Sequence, residues 1–135
     1  MLINLSNHPS ANWSDEQKKA AIEQYNEIVD IAFPQIEPAA SIEDVLQLVE
    51  QYVEKIIETI GYVNVHTFDY YSNAVHVMGE MTFTYNVLRE LDRKGIDCVA
   101  STTERQVIVE QNGQKTSVFK FVQFRPYWDS DTLPF

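Results

Sequence analysis

A single cysteine, Cys98, stands in a chain of 135 residues, which rules out an internal disulfide and a cysteine-rich metal site. Glycine is scarce as well, with four in the chain. None falls into the Gly-x-Gly-x-x-Gly or Walker spacing of a dinucleotide or triphosphate cradle. No Gly-x-Ser-x-Gly elbow is present. His8, His66 and His76 are not spaced as metal ligands, so neither a metal nor a cofactor is expected. No stretch approaches the ~20 continuous apolar residues of a membrane-spanning helix. The start, from Met1 to Pro9, has no basic stretch ahead of a long apolar one, which argues against a secretory signal and for a cytoplasmic protein.

Positive charge is the other shortage. Ten Lys and Arg face twenty Asp and Glu, for a net charge of −10, and the basic residues form no run. Proteins that grip long nucleic acids gain affinity by neutralising phosphates with clustered Lys and Arg. Long DNA or RNA and anionic membranes are therefore poor partners. A small anion is not excluded, because backbone N–H groups at helix starts hold phosphate without net positive charge.

What is present is a run of alternating strands and helices, of a length that suits one domain over residues 1–135. Leu2 to Leu5 reads as a strand that breaks at Ser6-Asn7-His8-Pro9-Ser10. Ser14 and Gln17 form a capping box ahead of a helix to about Tyr25. Ile28 to Phe33 reads as a strand closed by Pro34. Ser41 caps a long helix with apolar residues from Val45 to Ile60 at helical spacing, ended by Gly61. Ala74 to Met78 is a strand, Thr82 to Lys94 a helix ended by Gly95, and Asp97 to Ser101 a strand. Gln106 to Glu110 and Val118 to Phe124 flank Asn112-Gly113, a strong hairpin signal. Tyr62 to Asn73 lacks a clean period; its Tyr62, Phe68, Tyr70 and Tyr71 suit dimer packing better than base stacking. The tail from Pro126, with Trp128, is expected on the surface or on a partner. This order predicts an α/β fold: a single Rossmann-like three-layer domain, mainly parallel, with a C-terminal antiparallel β-hairpin.

Ligands of open α/β sheets bind beyond the carboxyl ends of the strands, and three polar clusters fall there. Ser6, Asn7, His8 and Ser10 follow the first strand, where short polar side chains position phosphate or ribose and also simply make turns. Gly79, Glu80, Met81 and Thr82 follow Met78. There the glycine permits close approach, and Glu80 either serves chemistry or only favours the helix dipole. Ser101, Thr102, Thr103 and Arg105 offer hydroxyls beside a guanidinium that binds phosphate in bidentate fashion; the plainer reading is a Glu104–Arg105 surface pair. His76 and Cys98, within apolar strands, read as core residues.

The segments Ile3 to Ser10, His76 to Thr84, Ala100 to Arg105 and Phe119 to Arg125 resemble those of small stand-alone CRISPR-associated Rossmann-fold (CARF) proteins of ring-nuclease type. The resemblance implies a homodimer in antiviral defence that binds a cyclic oligoadenylate across its two-fold axis. It further implies metal-independent cleavage by attack of a ribose 2′-OH on the adjacent phosphate. On that basis Glu80, Arg105 and His8 would be catalytic: Glu80 orients the 2′-OH, and Arg105 with Thr102 and Thr103 stabilises the phosphorane. Ser6, Asn7, Ser10, Gly79, Met81, Thr82, Ser101, Thr102 and Thr103 would bind the ligand. Two other readings stay open: a cyclic-nucleotide sensor or sponge without turnover, and a dimeric protein-interaction module.

Overall fold

The computed structural model describes residues 1–66 and 73–129. Its strands are β1 (Leu2–Ser6), β2 (Ile28–Asp30), β3 (Ala74–Met78), β4 (Asp97–Val109) and β5 (Lys115–Pro126), and its helices α1 (Asp15–Tyr25), α2 (Ile42–His66) and α3 (Met81–Arg93). They form one sheet in the order β2-β1-β3-β4-β5, with β1 to β4 parallel and β5 antiparallel to β4. This is the expected Rossmann-like α/β domain with its C-terminal hairpin.

Period-two alternation sends neighbouring side chains of each strand to opposite faces. Ile3, Leu5, Val75, Val77 and Cys98 pack with Val45, Val49, Val53 and Ile56 of α2 and Phe83, Val87 and Leu91 of α3. Leu2, Ala74 and Val99 pack on the other face with Ala21 of α1, Trp13, Phe121 and Phe124. Helices on both faces make the third layer.

Besides a longer β5 and a β1 that takes in Ser6, four elements differ from the sequence reading. First, β2 stops at Asp30, because Ile31, Phe33 and Ile36 pack against the α2/α3 core as irregular chain. Second, α2 runs through Gly61 to His66; Gly61 is exposed with open space around it, so it costs only its helix propensity of about 1 kcal/mol. Third, α3 begins at Met81, one residue early, and Glu80 caps it: the carboxylate accepts from Thr82 N at 3.0 Å and Phe83 N at 2.8 Å. Fourth, the two expected strands from Asp97 to Glu110 are one strand, β4, with a bulge at Thr102/Thr103. Trp128 packs against the α2/α3 core and is not a surface anchor. The aromatics Phe68, Tyr70 and Tyr71 lie outside the described residues.

Beyond the bulge, β4 and β5 continue as a two-stranded ribbon turned at Gly113, whose φ is +83°. Val107, Ile108, Val109, Val118, Phe119 and Val122 are all exposed on it. Among the described residues, no helix is long and apolar enough to cross a membrane.

Candidate functional site

Beyond the carboxyl ends of β1 and β3, against Ser101 and Thr103 within β4, lies a cleft of about 600 Å³. Its floor is Ser6, His76, Met78 and Ser101; the turn after β1 and the ribbon residues Phe119 and Phe121 form its walls. A cleft of this size suits part of a small ligand of several rings.

Beneath the floor the α1 face of the sheet changes character. Asn4, next to Leu2 on that face, is buried and makes every bond its amide offers. Its Nδ2 donates to the His8 carbonyl at 2.9 Å and to Asp30 Oδ1 at 2.8 Å. Both partners are pure acceptors, so the amide orientation is forced. Its Oδ1 accepts from Ser6 Oγ at 2.7 Å and faces His76 Nδ1 at 2.9 Å. A carbonyl oxygen has no proton, so Nδ1 carries it and Nε2 is a bare lone pair. That lone pair meets Ser101 Oγ at 3.0 Å. The His76 ring is held edge-on by Trp13 at 5.3 Å and Phe124 at 5.6 Å, and Trp13 Nε1 donates to the same His8 carbonyl at 3.0 Å.

Electrostatics follow from this burial. Desolvation, with the charge of His8 nearby, pushes the His76 pKa down to about 4, so the imidazole is neutral at pH 7. Asp30 feels an upward push from partial burial, but bonds from Ser10 Oγ, Asn4 Nδ2 and Ser10 N outweigh it and hold the carboxyl below its ordinary value. The result is an ordered chain: hydroxyl, neutral imidazole, amide, carboxylate. Cys98 is no nucleophile, since burial and then Asp97 and Asp92 push its thiol up to about 12. Among the described residues, no three His, Cys, Asp or Glu side chains gather as a metal-holding group.

Of the residues singled out from the sequence, the fold brings Ser6, Asn7, His8, Gly79, Ser101 and Thr103 to this one cleft. Ser10 lies behind it, bonded to Asp30. Thr102 is turned to the Gln123 carbonyl at 3.3 Å. Glu80 is occupied in capping α3, Thr82 donates its N–H to that cap, and Met81 is 84% exposed at the same helix start; none of the three lines the cleft. Arg105 pairs with Phe119, two residues beyond Thr103 on the cleft's side of the ribbon, with its guanidinium on Ser117 Oγ at 2.9 and 3.2 Å. It stands at the rim, outside the lining.

Gly79 serves a purpose different from a phosphate cradle alone. A Cβ there would sit 2.2 Å from Cζ of Phe33, whose ring packs edge-on against Phe83 at 5.1 Å. Asn4, Asp30 and His76 are the functional candidates that sequence reasoning missed. The available signal was a polar residue at every second position of otherwise apolar strands: Asn4 and Ser6 in β1, His76 in β3.

No curated protein and no solved structure matches the chain. A family model does match residues 1–125, which takes in the whole cleft, and by it the chain belongs to the Uncharacterized protein MJ1673 family.

Proposed function

We propose that this protein is a CRISPR-associated, metal-independent phosphodiesterase that binds a cyclic oligoadenylate and opens its ring by attack of a ribose 2′-OH on the neighbouring phosphate. The observation that carries the reading is the convergence of the ends of β1 and β3 and the bulged middle of β4 on one cleft lined by Ser6, Asn7, His8, Gly79, Ser101 and Thr103. The hydroxyls there suit a small phosphodiester, while the net charge of −10 disfavours a long one. Catalysis of this kind works by in-line positioning and by stabilising charge on the phosphorane. Arg105 at the rim is the cation available to a phosphate that overhangs the cleft.

One cleft has room for part of a ring, so the whole ligand requires two clefts side by side in a homodimer. The exposed apolar ribbon supports that arrangement, because a two-stranded ribbon is marginal on its own. The site of action is the cytoplasm.

Incubation with cyclic tetra- and hexa-adenylate in EDTA tests the proposal. Linear products ending in 2′,3′-cyclic phosphate are expected, and intact rings at stoichiometric protein would overturn it. The commitment of Glu80 to the α3 cap favours one second reading, a sensor or sponge that holds the ring without turnover. A thermal shift with rings left whole is its signature.

A further inference from the structure

We infer that Ser101 is an activated nucleophile toward phosphodiesters, with His76 as its base and Asn4 and Asp30 as the residues that position that base. The inference rests on the cleft and not on the ring ligand, and it stands for any phosphodiester that fits.

The geometry has the nucleophile–base–orienter order by which hydroxyl nucleophiles are recognised regardless of fold. Ser101 Oγ lies 3.0 Å from His76 Nε2, and His76 Nδ1 lies 2.9 Å from Asn4 Oδ1. Asn4 Nδ2 in turn lies 2.8 Å from the Asp30 carboxylate. Because rotating Asn4 would set its Oδ1 against the His8 carbonyl and the Asp30 carboxylate, the tautomer with a free Nε2 is built in. One acceptor competes for the Ser101 proton: Met78 Sδ, at 3.1 Å. A thioether is a far weaker acceptor than an imidazole lone pair, and this sulfur already receives the Ser101 N–H at 3.4 Å. Exposure divides the roles. His76 is 2% exposed, whereas Ser101 is half-buried and lines the cleft. A substrate therefore meets the hydroxyl ahead of the ring, which lies almost wholly buried in the cleft floor.

In the step, Ser101 Oγ forms a bond to phosphorus as its proton passes to Nε2. The bond from phosphorus to the 5′ oxygen breaks, and that oxygen takes the proton back from Nε2. Water then hydrolyses the seryl phosphodiester, leaving a 3′-phosphate end and restoring the hydroxyl. Attack by a ribose 2′-OH leaves a 2′,3′-cyclic phosphate instead, so the ends identify the route.

A fluorophosphonate probe tests the nucleophile with no ring present: Oγ–P forms, P–F breaks and the proton again goes to His76. Intact-mass measurement and peptide mapping should place one adduct on Ser101. Labelling should fall to background in Ser101→Ala, and slow by about a hundredfold or more in His76→Gln. No adduct at probe concentrations that saturate a reference serine hydrolase, or equal labelling of Ser101→Ala, overturns the inference. Should His76→Gln fail to fold, the pH profile of the wild type takes its place. The titratable groups facing His76 are His8 and, through Asn4, Asp30; Trp13, Met78, Ser101 and Phe124 do not titrate near neutrality. The rate should be flat near neutrality and drop with a midpoint near 4, following His76; a rate proportional to hydroxide throughout overturns the role of the base. Labelling without ring cleavage sinks only the ring reading. Ring cleavage without labelling sinks only this one.

Discussion

The two faces of β1 and β3 are made by alternate residues of the same ten positions, yet they differ in kind. Toward α2 and α3 the strands present Ile3, Leu5, Val75 and Val77, all fully buried. Toward α1 they begin apolar, with Leu2 and Ala74, and then turn polar with Asn4, Ser6 and His76, equally deep in the protein. Burying such groups is costly unless every hydrogen bond is met. Here the bonds of the Asn4 amide are all met, and the network reaches the cleft at the Ser101 hydroxyl and solvent at the Asp30 carboxylate. One face supplies stability from packing. The other gives up part of that gain to hold a polar chain in a single geometry.

The comparison is broken most severely on the apolar face. Leu5→Ala should cost about 3 kcal/mol through lost transfer energy and the cavity left behind, read as a lowered midpoint in urea denaturation with an unchanged slope.

Acid should act first on the polar face, to a comparable extent. The folded-state pKa of His76 lies below the unfolded value, so unfolding takes up a proton between pH 6.5 and about 4. Stability is complete above 6.5 and declines as pH falls toward 4, by about 3 kcal/mol at most. Urea titrations across this window should show the loss, and His76→Gln should flatten it. A wild-type curve without slope there would contradict the buried neutral imidazole.

Gly79→Ala joins the faces, since the new methyl must displace the Phe33 ring from above the turn. A loss of about 2 kcal/mol is expected, and combining it with Phe33→Ala should give less than the sum of the two single losses.

The smallest stability effect belongs to the ribbon. Val109→Glu, at a position 64% exposed, should change the stability of one chain by no more than about 0.5 kcal/mol. In sedimentation it should nonetheless convert a dimer to a monomer. A wild-type monomer would remove the two-cleft arrangement.

Much of the architecture was legible because strands and helices here obey their periods, and Asn112-Gly113 marks the hairpin. What failed was continuity. Thr103, Glu104 and Arg105 read as a turn because a buried strand would not carry them, but a ribbon exposed on both sides tolerates them. Ile31 and Phe33 read as strand because they are apolar, though they pack on the core without pairing. The site divides the same way. Ser6, His8, Gly79 and Ser101 were visible because they interrupt apolar runs at strand ends. Asn4 and His76 were hidden within such runs, where a polar residue resembles a satisfied core group. Arg105 and Glu80 drew attention by chemistry alone, and their bonds to Ser117 and to the α3 amides depend on contacts that the sequence does not display.

The most direct test of the cleft as the working site is a side-by-side digestion of cyclic tetra-adenylate in EDTA by the wild type and by Ser101→Ala. The wild type should linearise the ring, and the variant, folded and equally stable, should do so at least about tenfold more slowly. Equal cleavage by both proteins, or an intact ring with the wild type, would contradict the account.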